Sequence, residues 1–108
     1  MLEFICTQVF DRSWNELGLT DEDQRQLELR LIDNPKAGVV IPHTNGARKL
    51  RIEAKGHGKS GGARVIYVNF VVDEEIYFLD VYGKGVKEDL EEAEKQAISK
   101  LIRRLADE

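Results

Sequence analysis

The sequence predicts an α+β fold in which one short strand, two helices, three consecutive strands and a last helix build a small, mainly antiparallel sheet with the helices packed on one side. Two observations lead there. Residues 64–72 and 76–82 are apolar on both faces and are separated by Asp73-Glu74-Glu75, the length of a hairpin turn, while residues 48–53 alternate apolar and polar just before them. Around these strands, apolar residues recur at helical spacing in three segments, each opened by a capping residue. No composition break, low-complexity tract or repeat divides the 108 residues, so a single domain, 1–108, is expected.

Taken in order, Leu2-Glu3-Phe4-Ile5 reads as the first strand. Thr7 is the candidate N-cap of a helix carrying Phe10, Trp14 and Leu17, and Gly18 ends it. Phe4, Phe10 and Trp14 read as core residues. Thr20, with Asp23 three residues on, opens a second helix whose buried stripe is Leu27, Leu31 and Ile32. Asn34-Pro35 stops it, because proline pushes the preceding residue out of the helical region. Residues 36–46 are loop-like, with Gly38, Pro42, Asn45 and Gly46 around a short apolar run, Val39-Val40-Ile41. In residues 48–53, Leu50 and Ile52 face one way and Lys49, Arg51 and Glu53 the other. Four glycines within residues 55–62 preclude a helix or strand and predict a flexible basic loop. Asp89 is the candidate cap of the last helix, with Glu92 as its reciprocal partner and Leu90, Ala97, Ile98, Leu101 and Leu105 directed to the core. The acidic start of that helix and Lys100, Arg103 and Arg104 near its end suit its dipole.

A net charge of -4 argues by itself against a nucleic-acid partner, since phosphate contacts need cations. The distribution reverses that reading. Between Ala47 and Arg64, the six basic residues Arg48, Lys49, Arg51, Lys55, Lys59 and Arg64 are opposed only by Glu53, a local net of +5. Such a stretch attracts an anion even on an acidic protein, because the field in a cleft follows nearby charge and salt screens beyond about 10 Å. No apolar run is long enough to cross a bilayer, and the N-terminus lacks the basic region of a signal peptide, so a cytoplasmic location without a membrane partner is expected. Cys6 stands alone, which excludes an intramolecular disulfide. His43 and His57 have no ligand-like neighbours at a recurring spacing, so neither a metal nor another cofactor is expected.

A hairpin turn centred on Glu74 places Arg64 opposite Lys84 and Ile66 opposite Tyr82, so that two cations and a phenol share one end of one sheet face. Directly opposed like charges cost roughly 0.2–1 kcal/mol, a penalty tolerable where an anion binds between them. Lys55, His57 and Lys59 reach the same place from the glycine loop. Together these residues would form a concave basic site suited to a bent RNA backbone and to the charge that builds on phosphorus as a 2′-hydroxyl attacks; the alternative is that Lys55, His57 and Lys59 are simply a solvated flexible turn. The candidates for proton transfer are His57, by its ordinary pKa, Tyr82, with cations beside its phenolate, and a lysine or arginine acting through water. Asp80, on the face of Tyr82 in this register, is placed to orient a cation. A phosphate-binding P-loop is excluded, because Gly56-His57-Gly58-Lys59-Ser60 runs on into Gly61-Gly62 and a strand rather than a helix.

Three ordered blocks, residues 34–40 (Asn-Pro-Lys-Ala-Gly-Val-Val), 46–51 (Gly-Ala-Arg-Lys-Leu-Arg) and 55–67 (Lys-Gly-His-Gly-Lys-Ser-Gly-Gly-Ala-Arg-Val-Ile-Tyr), closely resemble HigB-like toxins of the RelE/ParE superfamily. Val81-Tyr82-Gly83-Lys84 and Lys87-Glu88-Asp89-Leu90 extend the resemblance nearly to the last helix. It implies the RelE-like toxin fold and the toxin of a type II toxin–antitoxin system, a ribosome-dependent endoribonuclease that cuts mRNA and so inhibits translation. Matched by position, the implied catalytic set is Lys55, Lys59, Arg64, Tyr82 and Lys84, with Arg48, Arg51 and His57 as RNA or ribosome contacts. The implied partners are the ribosome, mRNA and a cognate helix-turn-helix antitoxin, with operator DNA reached only through that antitoxin. The chain departs from the pattern at His57, where another basic residue is more typical, at Ala47, where a larger apolar residue is common, and in having no tyrosine or histidine after Tyr82. Two other readings share the fold: an antitoxin-binding module without cleavage, and a ParE-like gyrase inhibitor.

Overall fold

The computed structural model describes residues 1–53, 62–87 and 89–107; Lys55, His57 and Lys59 lie outside the described residues. The order is β1 (Glu3–Cys6), α1 (Gln8–Glu16), α2 (Asp21–Asp33), β2 (Val39–Val40), β3 (Arg48–Ile52), β4 (Ala63–Phe70), β5 (Glu75–Gly83) and α3 (Glu92–Ala106). This is the expected β-α-α-β-β-β-α order of an α+β fold with one addition, the two-residue β2 on the apolar run before β3. The sheet runs β1-β5-β4-β3-β2. Strands β2 to β5 are antiparallel to their neighbours, and β1 joins the far side of β5 in parallel.

Alternation along β4 creates two cores. Ala63, Val65 and Tyr67 join Phe10 and Trp14 of α1 and Leu27 and Leu31 of α2, whereas Ile66 and Val68 join Leu79, Tyr82, Leu90 and Ile102 of α3. Helices α1 and α2 therefore pack together on one side, as expected, and α3 takes the other face. A central strand that is apolar on both faces needs cover on both. Phe10 anchors the first core, its ring 4.8 Å from Phe78 and 5.2 Å from Trp14; burying each such side chain contributes about 1.5–3 kcal/mol.

Local chemistry sets the helix ends. The Thr7 hydroxyl accepts from Phe10 N–H and donates toward the carbonyls of Phe78 and Leu79, so one side chain both caps α1 and ties it to β5. Thr20 and Asp23 exchange the two bonds of a capping box. Gly18, at φ 72°, follows the last turn of α1, and Asn34 caps α2 just before Pro35. Ile32 is exposed, contrary to expectation. It lies about 140° around the helix from Leu27, outside an apolar stripe roughly 100° wide. The last helix starts later than expected. The Asp89 carboxylate accepts from Lys49 at 3.0 Å, Leu90 is buried ahead of the helix, and Glu94 bonds back to Glu91 N–H at 2.8 Å.

The β4–β5 register also corrects the expectation. The turn occupies Val71 to Glu74, closed by Glu74 N–H on the Val71 carbonyl with Glu74 at φ 54°, so β4 stops at Phe70 and Val71 and Val72 are exposed. A bulge follows, because Tyr67 pairs with Phe78 and Ile66 with Asp80, leaving Leu79 as the extra residue. Arg64 therefore stands opposite Tyr82, not Lys84, and Ile66 opposite Asp80, not Tyr82. At Arg64 and Ile66 the displacement is two residues, an even shift that keeps both pairs on the expected face, whereas from Tyr67 to Phe70, beyond the bulge, it is three.

Candidate anion-binding site

Arg64 is the centre of the arrangement. Its side chain lies on the α3 face of β4, between Arg51 of β3 on one flank and Tyr82 of β5 on the other, and only 4% of the residue is exposed. The directly opposed cations are Arg51 and Arg64, a different pair from the expected Arg64 and Lys84, with the same cost of roughly 0.2–1 kcal/mol. A buried arginine is ordinarily paired. Among the described residues no carboxylate lies within ion-pair distance of Arg64; the ion pairs seen there include Met1–Glu74, Arg25–Glu22, Lys49–Asp89 and Lys87–Glu94, none of which involves it.

The ends of the strands open into a cleft of about 430 Å³ lined by Arg30, Arg51, Ile52, Glu53, Arg64 and Lys84, within the roughly 300–1,000 Å³ of small-ligand sites. Among the described residues four cations face one carboxylate there. Gly62 sets the approach of β4 to β3 beside the cleft. It sits at φ 59°, and a Cβ on it would meet the Ile52 carbonyl oxygen at 1.9 Å, so only glycine lets β4 start this close to β3. Its own carbonyl accepts from Lys84 N–H at 3.3 Å, which ties the end of β5 to the same place. Glu53 lines the cleft, and Gly62 is bonded to Lys84, which also lines it.

Tyr82 lies behind Arg64 rather than on the cleft wall. It is 7% exposed, and its Oη is buried with no hydrogen-bond partner among the described groups. Burial pushes the phenol pKa up, and the Arg64 guanidinium pulls it back only in part. Tyr82 therefore holds its proton at neutral pH, which suits a donor and not a base. The Lys87 ammonium covers its ring at 4.9 Å from the centroid and pairs with Glu94. That ion pair, with the Glu91 N–H, holds the Glu94 carboxyl below the ordinary range. Asp80 shows the reverse. Burial raises its pKa, and its Oδ1 accepts from the adjacent Val81 N–H.

Of the expected site residues, Arg51, Arg64 and Lys84 come together, with Tyr82 adjoining Arg64. Arg48 does not join them. It shares a face with Tyr67, and its guanidinium donates to the Gly38 carbonyl at 2.7 Å and the Lys36 carbonyl at 3.4 Å. Tyr67 completes that loop anchor, accepting from Gly38 N–H and donating to the Pro35 carbonyl. Arg30 was missed by the sequence reading. Its position, one residue before the buried Leu31 at the end of α2, was a usable signal, but only the packing of that helix end against β3 brings it to the cleft.

No helix among the described residues is long and apolar enough to cross a membrane. The family described as RelE toxin of the RelE/RelB toxin–antitoxin system matches this sequence over residues 6–107, which takes in every element of the sheet and all three helices apart from the first three residues of β1. With that match across almost the whole length, and a mixed sheet that gathers Arg51 of β3, Arg64 of β4 and Lys84 just after β5 at one end, the chain belongs to the RelE toxin family.

Proposed function

We propose that this toxin is a HigB-like, ribosome-dependent mRNA endoribonuclease that acts in the cytoplasm and is neutralised by a cognate helix-turn-helix antitoxin, through which alone it reaches operator DNA. The observation that supports this best is the buried Arg64 guanidinium at the base of a cleft whose other cations, Arg30, Arg51 and Lys84, have no carboxylate partner among the described residues. An unneutralised cation cluster in a partly dry site is suited to phosphorus in a transition state that carries more negative charge than the ground state.

In this reading the RNA 2′-oxygen attacks the adjacent phosphorus, the bond from phosphorus to the 5′-oxygen breaks, and a 2′,3′-cyclic phosphate and a free 5′-hydroxyl result. Arg64 and Lys84 stabilise the phosphorane oxygens, and Arg51 holds the approaching strand. Tyr82, protonated at neutral pH and opposite Arg64, is the donor assigned to the departing 5′-oxygen, which requires its buried Oη to become accessible from the cleft. The 2′-hydroxyl proton passes to the free ring nitrogen of a neutral His57, while the Lys55 and Lys59 ammonium groups stabilise charge on the phosphate oxygens; all three lie outside the described residues. Glu53, the one described carboxylate that lines the cleft, is the alternative acceptor.

The test adds the purified toxin to a cell-free translation reaction and maps mRNA 5′ ends by primer extension, with an Arg64→Ala, Lys84→Ala double variant and a ribosome-free control. Cuts that need ribosomes and disappear in the variant are expected. Intact mRNA at toxin concentrations that saturate the ribosomes rules the reading out.

A further inference from the structure

We infer that Arg30, on α2, is an RNA-contact residue that holds the phosphate adjoining the scissile one and so extends the site beyond the sheet. This rests on the endoribonuclease reading and deepens it. Among the described residues Arg30 is the one cation of the cleft that comes from a helix, and α2 packs on the face opposite Arg64. It reaches the cleft because its Nη1 donates to the Arg51 carbonyl at 2.8 Å.

That bond is a choice among alternatives. Asp33 stands three residues on, at the spacing where helix ion pairs form, and Arg25 on the same helix does take such a partner in Glu22. Arg30 turns to the strand instead. A guanidinium carries five N–H donors in a flat fork, and a single neutral carbonyl leaves its full charge and most of its donors to present to an anion.

The position fits a second phosphate. Lys84 follows β5, Arg64 is on β4 and Arg51 on β3, and these are neighbouring strands. Neighbouring strands are spaced by about 4.8 Å, so the row already spans roughly 10 Å before Arg30 extends it. Arg64 sits at the middle of that row, and Arg30 at its end, one bond beyond Arg51. A cation at that place touches the RNA chain where it leaves the scissile phosphate. The competing role, complementing the C-terminal dipole of α2, needs no RNA and predicts no change in RNA binding.

The experiment measures binding of a short single-stranded RNA, 2′-O-methylated so that it cannot be cut, to the wild type and to Arg30→Gln, Arg30→Lys and Arg25→Gln across a series of salt concentrations. Ribosome binding, and cleavage on ribosomes, are measured in parallel. Arg30→Gln is expected to weaken RNA binding roughly tenfold at low salt and to reduce the slope of log affinity against log salt by about 0.7. Arg30→Lys restores the slope, Arg25→Gln matches the wild type, and cleavage shows a raised KM with kcat little changed. An unchanged salt slope in Arg30→Gln, while the wild type cuts mRNA, overturns the inference and leaves the endonuclease reading standing. So does a loss confined to ribosome binding, which assigns the phosphate to ribosomal RNA. A wild type that neither binds nor cuts RNA removes both.

Discussion

Replacing Tyr82 by phenylalanine should move stability and activity in opposite directions. Its Oη is a buried polar atom with no described partner, and Arg64 lies across the strand from it. A buried hydroxyl left unbonded costs about 1–3 kcal/mol, so deleting it while keeping the ring stabilises the fold by roughly 1 kcal/mol after allowing for relaxation. Tyr67→Phe is the internal contrast. That hydroxyl is fully buried and makes two bonds, accepting from Gly38 N–H at 2.9 Å and donating to the Pro35 carbonyl at 2.7 Å. Its loss orphans a donor and an acceptor and costs about 2–4 kcal/mol, a large part of the 5–15 kcal/mol of a typical domain. In urea melts with an m-value of about 2 kcal/mol/M, the midpoint should fall by roughly 1–2 M for Tyr67→Phe and rise by about 0.5 M for Tyr82→Phe, at unchanged m. Cleavage on ribosomes should behave inversely. Tyr82→Phe loses about 10²–10⁴-fold in rate if the phenol is the proton donor, and Tyr67→Phe stays active below its melting range. A Tyr82→Phe protein less stable than the wild type would refute the orphaned-hydroxyl reasoning, and one that cleaves at full rate would refute the proton-donor role.

Three further outcomes follow from the same geometry. Arg51→Leu removes one of two directly opposed cations and should raise stability by roughly 0.2–1 kcal/mol, measured by thermal melting, while cleavage and the stabilisation by added inorganic phosphate both decline. Gly62→Ala forces a Cβ onto the Ile52 carbonyl at a positive φ and should cost at least about 1–3 kcal/mol, with a parallel loss of cleavage; a neutral melt would contradict the close β3–β4 approach. The lowered pKa of Glu94 means that its pairing with Lys87 stabilises the fold above the ordinary glutamate range and is lost as pH falls through the depressed folded value. Titrating Glu94 by NMR should therefore show its midpoint below that of an unfolded chain, and Glu94→Gln should remove that part of the acid-side loss of stability.

The parts of this fold that were legible in the sequence are those set by chemistry within a few residues. Thr7 and Thr20 cap because a hydroxyl reaches the N–H three residues on, and Pro35 stops α2 through its own ring. The apolar double-faced β4 and β5 declared themselves central strands. What escaped depends on partners distant in sequence. Nothing local says that Asp89 prefers Lys49 to a helix N-terminus, or that Val71 and Val72 belong to a turn when both are good strand formers. The bulge at Leu79 lies in an unbroken apolar run, so its pattern carries no mark. Arg51, Arg64, Lys84 and Tyr82 nonetheless converge, because the register displacement at their end of the hairpin was even, whereas Arg48, an odd step from Arg51, lies on the other face.

The parallel pairing of β1 with β5 has a consequence for how the protein is made. Thr7 is bonded to Leu79, 72 positions later, and Phe10 lies against Phe78. Closing a loop of that length costs about 4 kcal/mol in chain entropy beyond a constant, and contacts of such separation slow folding. At about 5–20 residues per second, a ribosome needs roughly 4–14 s to extend the chain from β1 to its partner. Through that interval α1 has only part of its core, and Arg64 has no Tyr82 beside it. A RelE toxin built this way emerges unarmed: the strand that completes the core is the same strand that completes the cation cluster, so folding and toxicity arrive together, late in synthesis.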